Sequence, residues 1–390
     1  MSSVISLSEL TERASAYTLI DVRDAISFDY DTMPGAISMP DIVDRARAGQ
    51  LTGPEFQRTL VLFCMRGFDS MPMAEDLRAM GYDAYSLEDG FAGYIRETLS
   101  VEDRHEDIEK DLRKKEVKKK LFRCFTRAVR EFQLVESGDK IAVCISGGKD
   151  SMLMAKLFQQ LQSCREAPFE LVFLVMDPGY SELNRLVIER NAQTLGIPIT
   201  IFESPIFDAV DHMEDKPCFM CARMRRGYLY RKAKELGCNK IALGHHFDDV
   251  IETILMGMLW GGQTQTMMPK LHSVNVPGMT LIRPMYYIRE EEIKAWRDRN
   301  GLHFIQCACH FTDTCSSCRE DGVPVSKRME TKLLIRKLKE TNPYVETNIF
   351  TSMQHVSLDT VLSYKLHGVN HEFPEIFDTW VPGPSAEEGE

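Results

Sequence analysis

The chain has 390 residues, 44% hydrophobic and 27% charged, with 24 Gly and 17 Pro, a globular composition that excludes collagen-like, disordered and disulfide-miniprotein classes and leaves room for two to three domains. No apolar run reaches the ~18–20 residues that span a bilayer, and no secretory signal opens the chain, so no membrane partner is expected. Its 11 cysteines therefore point to a reducing, cytoplasmic setting, where clustered thiols read as metal ligands or nucleophiles.

The net charge of −11 argues against a nucleic-acid binder, but its distribution does not. Residues 1–100 hold no Lys, 8 Arg and 16 acidic residues. Residues 111–130 hold 9 basic and 2 acidic residues, and the last twenty carry six acids and no Lys or Arg. An acidic head, a basic neck and an acidic tail hide a local positive surface behind a negative total.

In chain order, short apolar runs predict strands at Leu19–Val22, Ala36–Met39 and Leu60–Phe63. A helix over Ser70–Met80, a strand at Ala84–Ser86 and a helix over Phe91–Glu97 follow. This alternation is a small, mostly parallel α/β domain over residues 1–103. Residues 104–135 read as a basic helical linker, with an amphipathic helix over Val117–Phe132. Lys140–Ile145 is a buried strand, followed by a helix from about Ser151. Further strands at Leu171–Val175, Ile199–Phe202 and Lys240–Leu243 alternate with helical periods over Ser181–Leu195 and Met224–Leu236. A second, doubly wound parallel sheet over residues 136–365 is expected. It closes with a helix at Glu290–Arg299, a strand at Phe304–Ile305, a cysteine-rich loop and a helix at Lys327–Lys339. Residues 366–390 read as an acidic tail, disordered from about 380.

The strongest signal is Ser146-Gly147-Gly148-Lys149-Asp150-Ser151, directly after a buried strand and before a helix. Two glycines let the backbone approach a ligand closely. The helix N-terminus and the side chains of Ser146, Lys149 and Ser151 then offer donors to an anion. The spacing of a Walker A loop is absent. The string SGGxDS is identified as the pyrophosphate-binding PP-loop of the ATP pyrophosphatase superfamily. That resemblance implies cleavage of ATP between its α- and β-phosphates, with AMP passing to a substrate oxygen. Asp150 is the candidate Mg²⁺ ligand, since Mg²⁺ binds through one or two carboxylates plus phosphates. Asp177, past the next strand, lies at the edge where adenosine would sit.

Cys218 and Cys221 form a C-x2-C ahead of Arg223, Arg225 and Arg226. Gly244, His245, His246, Asp248 and Asp249 follow the end of a buried strand. Downstream come Cys307, Cys309, Cys315 and Cys318. A C-x2-C plus a distant cysteine cluster in a nucleotide-binding domain points to a metal. The residues alone leave two readings open. Four thiolates suit a closed zinc site, whereas three suit a [4Fe–4S] cluster with one iron free for sulfide. Cys124, Cys144, Cys164 and Cys238 fall in strand or helix patterns and read as core.

The string CFMCARMRRGYLYRKAKELGCNKIALGHHFDD, with SGGKDS and IRPMYYIREEEI, resembles the tRNA 2-thiocytidine synthetase family over about residues 120–360. The resemblance implies a PP-loop fold, use of ATP, Mg²⁺ and a three-cysteine [4Fe–4S] cluster, and thiolation of a cytidine at position 32 of the tRNA anticodon loop. By motif match the ligands are Cys218, Cys221 and Cys307, with Cys309 and Cys315 as rivals for the third place. Gly244 and His245 would join the PP-loop in binding nucleotide, and Asp248 and Asp249 would position metal or substrate. Paired subunits are common in related enzymes, so a homodimer is a family-level expectation.

Leu19-Ile20-Asp21-Val22-Arg23, Met33-Pro34-Gly35-Ala36-Ile37 and the Cys64–Ser70 loop resemble the rhodanese domain, which carries sulfur as a cysteine persulfide. A thiolate at Cys64 would face backbone N–H groups and a helix N-terminus. Two positions depart from that family: Asp69 replaces its usual Arg, and Asp31-Thr32 its usual Gly-His. The extra carboxylate disfavours the thiosulfate dianion and favours a protein sulfur donor such as a cysteine desulfurase. An inactive domain that mediates contacts is the alternative. The basic helix, with Phe122 and Phe125, suggests a surface that tracks RNA phosphates.

The expectation is thus a fused sulfur-relay enzyme. Cys64 carries sulfur, the PP-loop domain adenylates O2 of a tRNA cytidine, and sulfide from the cluster displaces AMP. Rival readings keep the adenylation and change the base to uridine or the nucleophile to an amine. A sulfur sensor that binds nucleotide without catalysis is the non-enzymatic rival.

Overall fold

The computed structural model describes residues 3–99, 103–164, 168–206, 217–305 and 327–379, with the side chains of Pro217–Ala222, Asp359, Ile376, Asp378 and Thr379 excepted. Cys307, Cys309, Cys315 and the 380–390 tail lie outside the described residues. The chain divides into two compact units: Met1–Val250 with Met267–Glu330, and Ile251–Thr266 with Thr331–Glu390.

The first unit contains two sheets. One is built from β1 (Val4–Ile5), β2 (Tyr17–Asp21), β3 (Ile37–Ser38), β4 (Thr59–Phe63) and β5 (Ala84–Leu87), in the order β1-β5-β4-β2-β3, with every pair parallel. The central strand β4 is buried from Leu60 to Phe63, as a strand covered on both faces must be. Ile20, Ile42, Leu62, Leu77 and Ala84 close the core on one side. The N-terminal α/β domain is therefore parallel, as its alternation predicts.

The second sheet runs β10-β11-β9-β6-β7-β8, with β6 (Lys140–Ile145), β7 (Glu170–Asp177), β8 (Ile199–Glu203), β9 (Lys240–Ala242), β10 (Lys270–His272) and β11 (Thr280–Ile282). Only the β10–β11 pair is antiparallel. β6 pairs with β7 on one side and with β9 on the other. The strand order reverses there, and a crevice opens at the carboxyl ends of β6 and β9, the place where open α/β sheets bind ligands.

Residues 104–135 are a packed layer. They form helices His105–Arg113, Lys115–Lys120 and Phe122–Glu131. The single helix predicted over Val117–Phe132 breaks at Leu121, whose backbone (φ −105°, ψ −72°) leaves the helical path. Ile108, Leu112, Leu121, Phe125 and Ala128 are buried, and the Phe125 ring meets Phe158 edge-on at 5.1 Å. Phe125 is wholly enclosed and so cannot stack on a base, while Phe122, nearly as buried, borders an opening on the basic face. The polar face of this layer keeps its lysines and arginines.

Phe304–Ile305, predicted as a strand, joins neither sheet. Two apolar residues are too few to separate a strand from a buried coil. Helix Gly90–Thr98 of the first domain packs on helix Glu182–Thr194 of the second.

The second unit holds helix Val345–Ser352, a hairpin of β12 (Ser363–Leu366) and β13 (Val369–Glu372), and helix Phe373–Thr379. The acidic segment read as a tail from residue 366 thus begins with ordered elements. Among the described residues no helix is long and apolar enough to cross a membrane.

Candidate active site

β6 ends at Ile145, and the chain turns through Ser146–Gly148 into helix Lys149–Ser163. Gly147 has φ +86°, and a Cβ there would stand 2.6 Å from both Ile188 Cγ1 and Ile305 Cδ1. Glycine is required twice over, by backbone angle and by space. The Ser146 N–H donates to Ser151 Oγ at 3.1 Å, and Ser151 Oγ donates to the Gly148 carbonyl at 3.0 Å. The loop is thereby closed on itself before any ligand arrives.

Lys149 is nearly fully buried. Its ammonium lies 3.2 Å from Asp150 Oδ1 and 3.4 Å from Glu290 Oε1. Burial pulls its pKa down, but Asp150 and Glu290 outweigh that and hold it above that of an ordinary lysine. Glu290 opens helix Glu290–Arg299, and its own N–H is held by Asp248 Oδ2 at 2.7 Å. Asp248 also pairs with Arg289 at 3.0 Å, so its carboxylate fixes the helix carrying Glu290.

β9 delivers Gly244, His245 and Asp249 to the same crevice. A Cβ on Gly244 would lie 3.2 Å from the Ser151 nitrogen, so a side chain there would crowd the helix start. Asp249 Oδ2 accepts the His246 N–H at 3.0 Å, and Asp249 Oδ1 lies 3.4 Å from Arg328. Burial would raise the Asp249 pKa, but His246, Arg328 and His245 together pull it below the usual carboxylate value. His245 is pushed down to about 4, chiefly by burial and against the pull of Asp249, so its imidazole is neutral at physiological pH.

Gly244, His245 and Asp249 line a cavity of about 330 Å³ with Ser146, Asp150, Ser151, Met176, Tyr180 and Arg225, whereas Gly147, Gly148 and the buried Lys149 lie outside its lining. Arg225, on helix Pro217–Glu235, reaches the Tyr180 hydroxyl at 3.4 Å. Buried His245 Nδ1 and Arg225 Nε find no hydrogen-bond partner among the described residues. Buried polar atoms are normally satisfied, so these two mark places for ligand atoms. The glycine cradle, the buried cation and the unpaired polar atoms together fit a nucleotide phosphate chain. Among the described residues no three His, Cys, Asp or Glu gather as a metal cage. Asp150 would instead share Mg²⁺ with phosphate oxygens, in the manner usual for that ion.

Asp177, predicted near adenosine, lies beside the cavity without lining it. Its Oδ1 accepts the N–H groups of Gly179 and Tyr180 at 2.9 and 2.7 Å, and Oδ2 pairs with Arg185 at 3.0 Å. The carboxylate shapes the turn that presents Tyr180. Cys218 and Cys221 stand one turn apart at the start of helix Pro217–Glu235. Paired thiolates at that spacing suit a cluster or zinc equally. Sequence reasoning missed Glu290, Arg328 and Tyr180. Only Glu290 left a trace, as the first of three glutamates opening a helix.

In the N-terminal domain, Cys64 follows β4 and is almost fully buried. Its sulfur accepts the Gly67 N–H at 3.1 Å and the Ser70 hydroxyl at 3.5 Å. Gly67 (φ +85°) and Gly90 (φ +55°) make the turn, and a Cβ on Gly90 would stand 2.4 Å from the Cys64 carbonyl oxygen. Asp21 and Arg23 form a buried ion pair at 2.6 Å, and Arg23 covers the Phe91 ring.

The basic layer carries a separate opening of about 790 Å³, lined by Lys118, Arg123, Arg127 and Arg130. The Arg127 guanidinium rests on the Tyr287 ring at 4.1 Å and pairs with Glu131 at 3.2 Å.

Residues 117–310 match the PP-loop domain family and residues 6–97 the rhodanese-like domain family. A tRNA-cytidine(32) 2-sulfurtransferase of Anaeromyxobacter sp. (strain Fw109-5) is 33% identical over 70% of this chain and 87% of its own. The protein of that name from Neisseria meningitidis serogroup C is 38% identical over 50% of this chain and 62% of its own. Among solved structures, the U34-tRNA thiolase NcsA from Methanococcus maripaludis with its [4Fe-4S] cluster is similar over 60% of this chain and 81% of its own, at 22% identity and a TM-score of 0.46.

Proposed function

Because the chain belongs to the tRNA-cytidine(32) 2-sulfurtransferase family, we propose that it replaces O2 of cytidine 32 in the tRNA anticodon loop with sulfur, using ATP. The observation that carries this reading is the crevice at the end of β6, where Ser146, Asp150 and Ser151 of the SGGKDS turn share a cavity with His245 and Arg225, each of which has a buried polar atom without a partner among the described residues. ATP would lie with its β- and γ-phosphates on the 146–151 loop and the charged Lys149. Asp150 would hold Mg²⁺ against the phosphates, and Gly244 and His245 would line the nucleotide wall. A neutral His245 adds no positive charge, so it can accept or donate one hydrogen bond without competing for phosphate.

The cytidine O2 attacks the α-phosphorus, the bond to the β-phosphate oxygen breaks, and pyrophosphate leaves onto the loop. Asp249, held ionised between His246 and Arg328, orients the groups around the reacting base. A sulfur nucleophile then adds at C2, and AMP departs with the original oxygen. Adenylation is needed because a carbonyl oxygen is a poor leaving group and AMP a good one. Cys218, Cys221 and Cys307 would hold a [4Fe–4S] cluster, which supplies an iron with no protein ligand for binding sulfide. Cys64 would accept sulfane sulfur from an upstream donor such as a cysteine desulfurase, and a thiol reductant supplies the two electrons that release it as sulfide. Fusion of carrier and acceptor in one chain raises the effective concentration of that sulfur. The Lys118–Arg130 face would track the phosphates of the anticodon stem.

Anaerobically purified protein, offered unmodified tRNA and MgATP with a sulfide source, tests the reading. The expected products are pyrophosphate and 2-thiocytidine in the nucleoside digest. Pyrophosphate without any thiolated nucleoside, or 2-thiouridine in place of 2-thiocytidine, would overturn the assignment.

A further inference from the structure

The N-terminal domain touches the nucleotide crevice directly. Helix Ala25–Tyr30 ends at Tyr30, whose ring lies 5.1 Å from the Lys149 ammonium. The Tyr30 hydroxyl donates to the Ile305 carbonyl at 2.8 Å, and Arg297 donates to the Tyr30 carbonyl. Ile305 is one of the two residues, with Ile188, that leave room for nothing larger than glycine at position 147. One aromatic side chain from the first domain therefore caps the PP-loop lysine and pins the segment that walls the loop.

The neighbouring residues hold Tyr30 in place. Asp31 Oδ2 meets His303 Nδ1 at 2.8 Å, and the Tyr94 ring meets the His303 ring edge-on at 5.5 Å. The Asp31 carbonyl accepts from buried Arg23, and Thr32 donates to Asp21, so the turn is anchored to the domain core. Asp31 and Thr32 are the positions at which this sequence departs from the rhodanese pattern. Here the first of them holds the two domains together and the second braces the turn behind it.

We propose that Tyr30 is a positioning residue of the nucleotide site, through which the docked N-terminal domain orders Lys149 for the phosphate chain. The inference rests on the reading of the crevice as an ATP site. Lys149 already sits between two carboxylates, and an ammonium there can swing toward either. A ring face beside it removes part of that freedom and adds an attraction that grows with desolvation. The ring supplies the effect, and the hydroxyl tie to Ile305 sets its place.

The test uses the full chain, an ATP analogue with a methylene between the α- and β-phosphates, Mg²⁺, and titration calorimetry, so that neither cluster nor tRNA enters the readout. Tyr30→Leu keeps apolar bulk and removes the ring; Tyr30→Phe keeps the ring and removes the hydroxyl. Tyr30→Leu is expected to weaken the analogue about tenfold, the scale of one desolvated cation–π contact. Tyr30→Phe should restore most of that loss, and in a separate assay of tRNA-dependent pyrophosphate release with ATP itself the Leu variant should raise KM for ATP more than it lowers kcat. Thermal unfolding identifies a folded Leu variant, and wild-type affinity in that variant would overturn the inference. So would a Phe variant as weak as the Leu one. A wild-type chain that binds no analogue would instead remove the site reading on which the inference stands.

Discussion

The Cys64 loop and the PP-loop are the same architectural device used in opposite ways. Each leaves the carboxyl end of a central parallel strand and enters a helix, and each turns on a glycine near φ +85°. The Cys64 loop turns its donors onto its own sulfur, leaving a thiol almost wholly enclosed. The PP-loop closes with hydrogen bonds of its own but borders a cavity whose His245 and Arg225 have donors or acceptors to spare. The difference teaches that fold position fixes where chemistry happens, and the atoms a loop leaves unsatisfied fix which partner it takes. An enclosed thiol suits a covalent cargo of one atom, and an open cradle suits a large anion.

Crossed single substitutions break this comparison most directly. Lys149→Ala should cut tRNA-dependent pyrophosphate release by about 10²–10³-fold, the usual loss when one preorganised charge at a reacting centre is removed. It should leave persulfide on Cys64 unchanged, as read by thiocyanate released with cyanide. Cys64→Ala should do the reverse and spare pyrophosphate release. If Lys149→Ala also abolished the persulfide, the two centres would not be chemically separate.

Acid sharpens the contrast with a smaller effect. His245 has a folded pKa near 4 against an ordinary value of 6.5, because its site is buried. Between those values the unfolded chain binds the extra proton and the folded chain does not. Stability from this group is complete above about pH 6.5 and is lost as pH falls toward 4, roughly 3 kcal/mol in all. His245→Gln should flatten urea midpoints measured between pH 7 and pH 4.5. A slope equal to the wild type's would show that the imidazole is not held neutral.

What could be read in the sequence was what neighbours in the chain decide. SGGKDS after KIAVCI is a local strand–turn–helix signal, and the structure places Ser146, Asp150 and Ser151 of the loop with Gly244, His245 and Asp249 around one crevice. Asp177 was singled out by its place past a strand end, and its oxygens hold two backbone N–H groups and Arg185. No local pattern shows how many partners a carboxylate will already have. Phe122 and Phe125 mark the limit of periodicity, which finds the two faces of a helix without saying which face the core claims. Tyr30 over Lys149 and Glu290 beside it join segments more than a hundred residues apart, and nothing in either segment announces the other. The basic run was visible as charge, and its stacking of Arg127 on Tyr287 was not.

That last contact gives the smallest effect and the one specific to RNA. Arg127 is largely exposed, and its pair with Glu131 spans a single helical turn, an arrangement that contributes little to folding. Tyr287 nevertheless holds the guanidinium flat, with its hydroxyl bound to Glu131 at 2.6 Å, so the cation is ordered before RNA arrives. Neutralising one phosphate-tracking cation should reduce the slope of log affinity against log salt by about 1. Arg127→Gln should therefore weaken tRNA binding several-fold at low salt and much less at high salt, with nucleotide affinity and thermal stability unchanged. A variant whose salt slope matches the wild type's would move the anticodon stem off this face. The PP-loop crevice would then have to recruit its RNA from elsewhere on the unit.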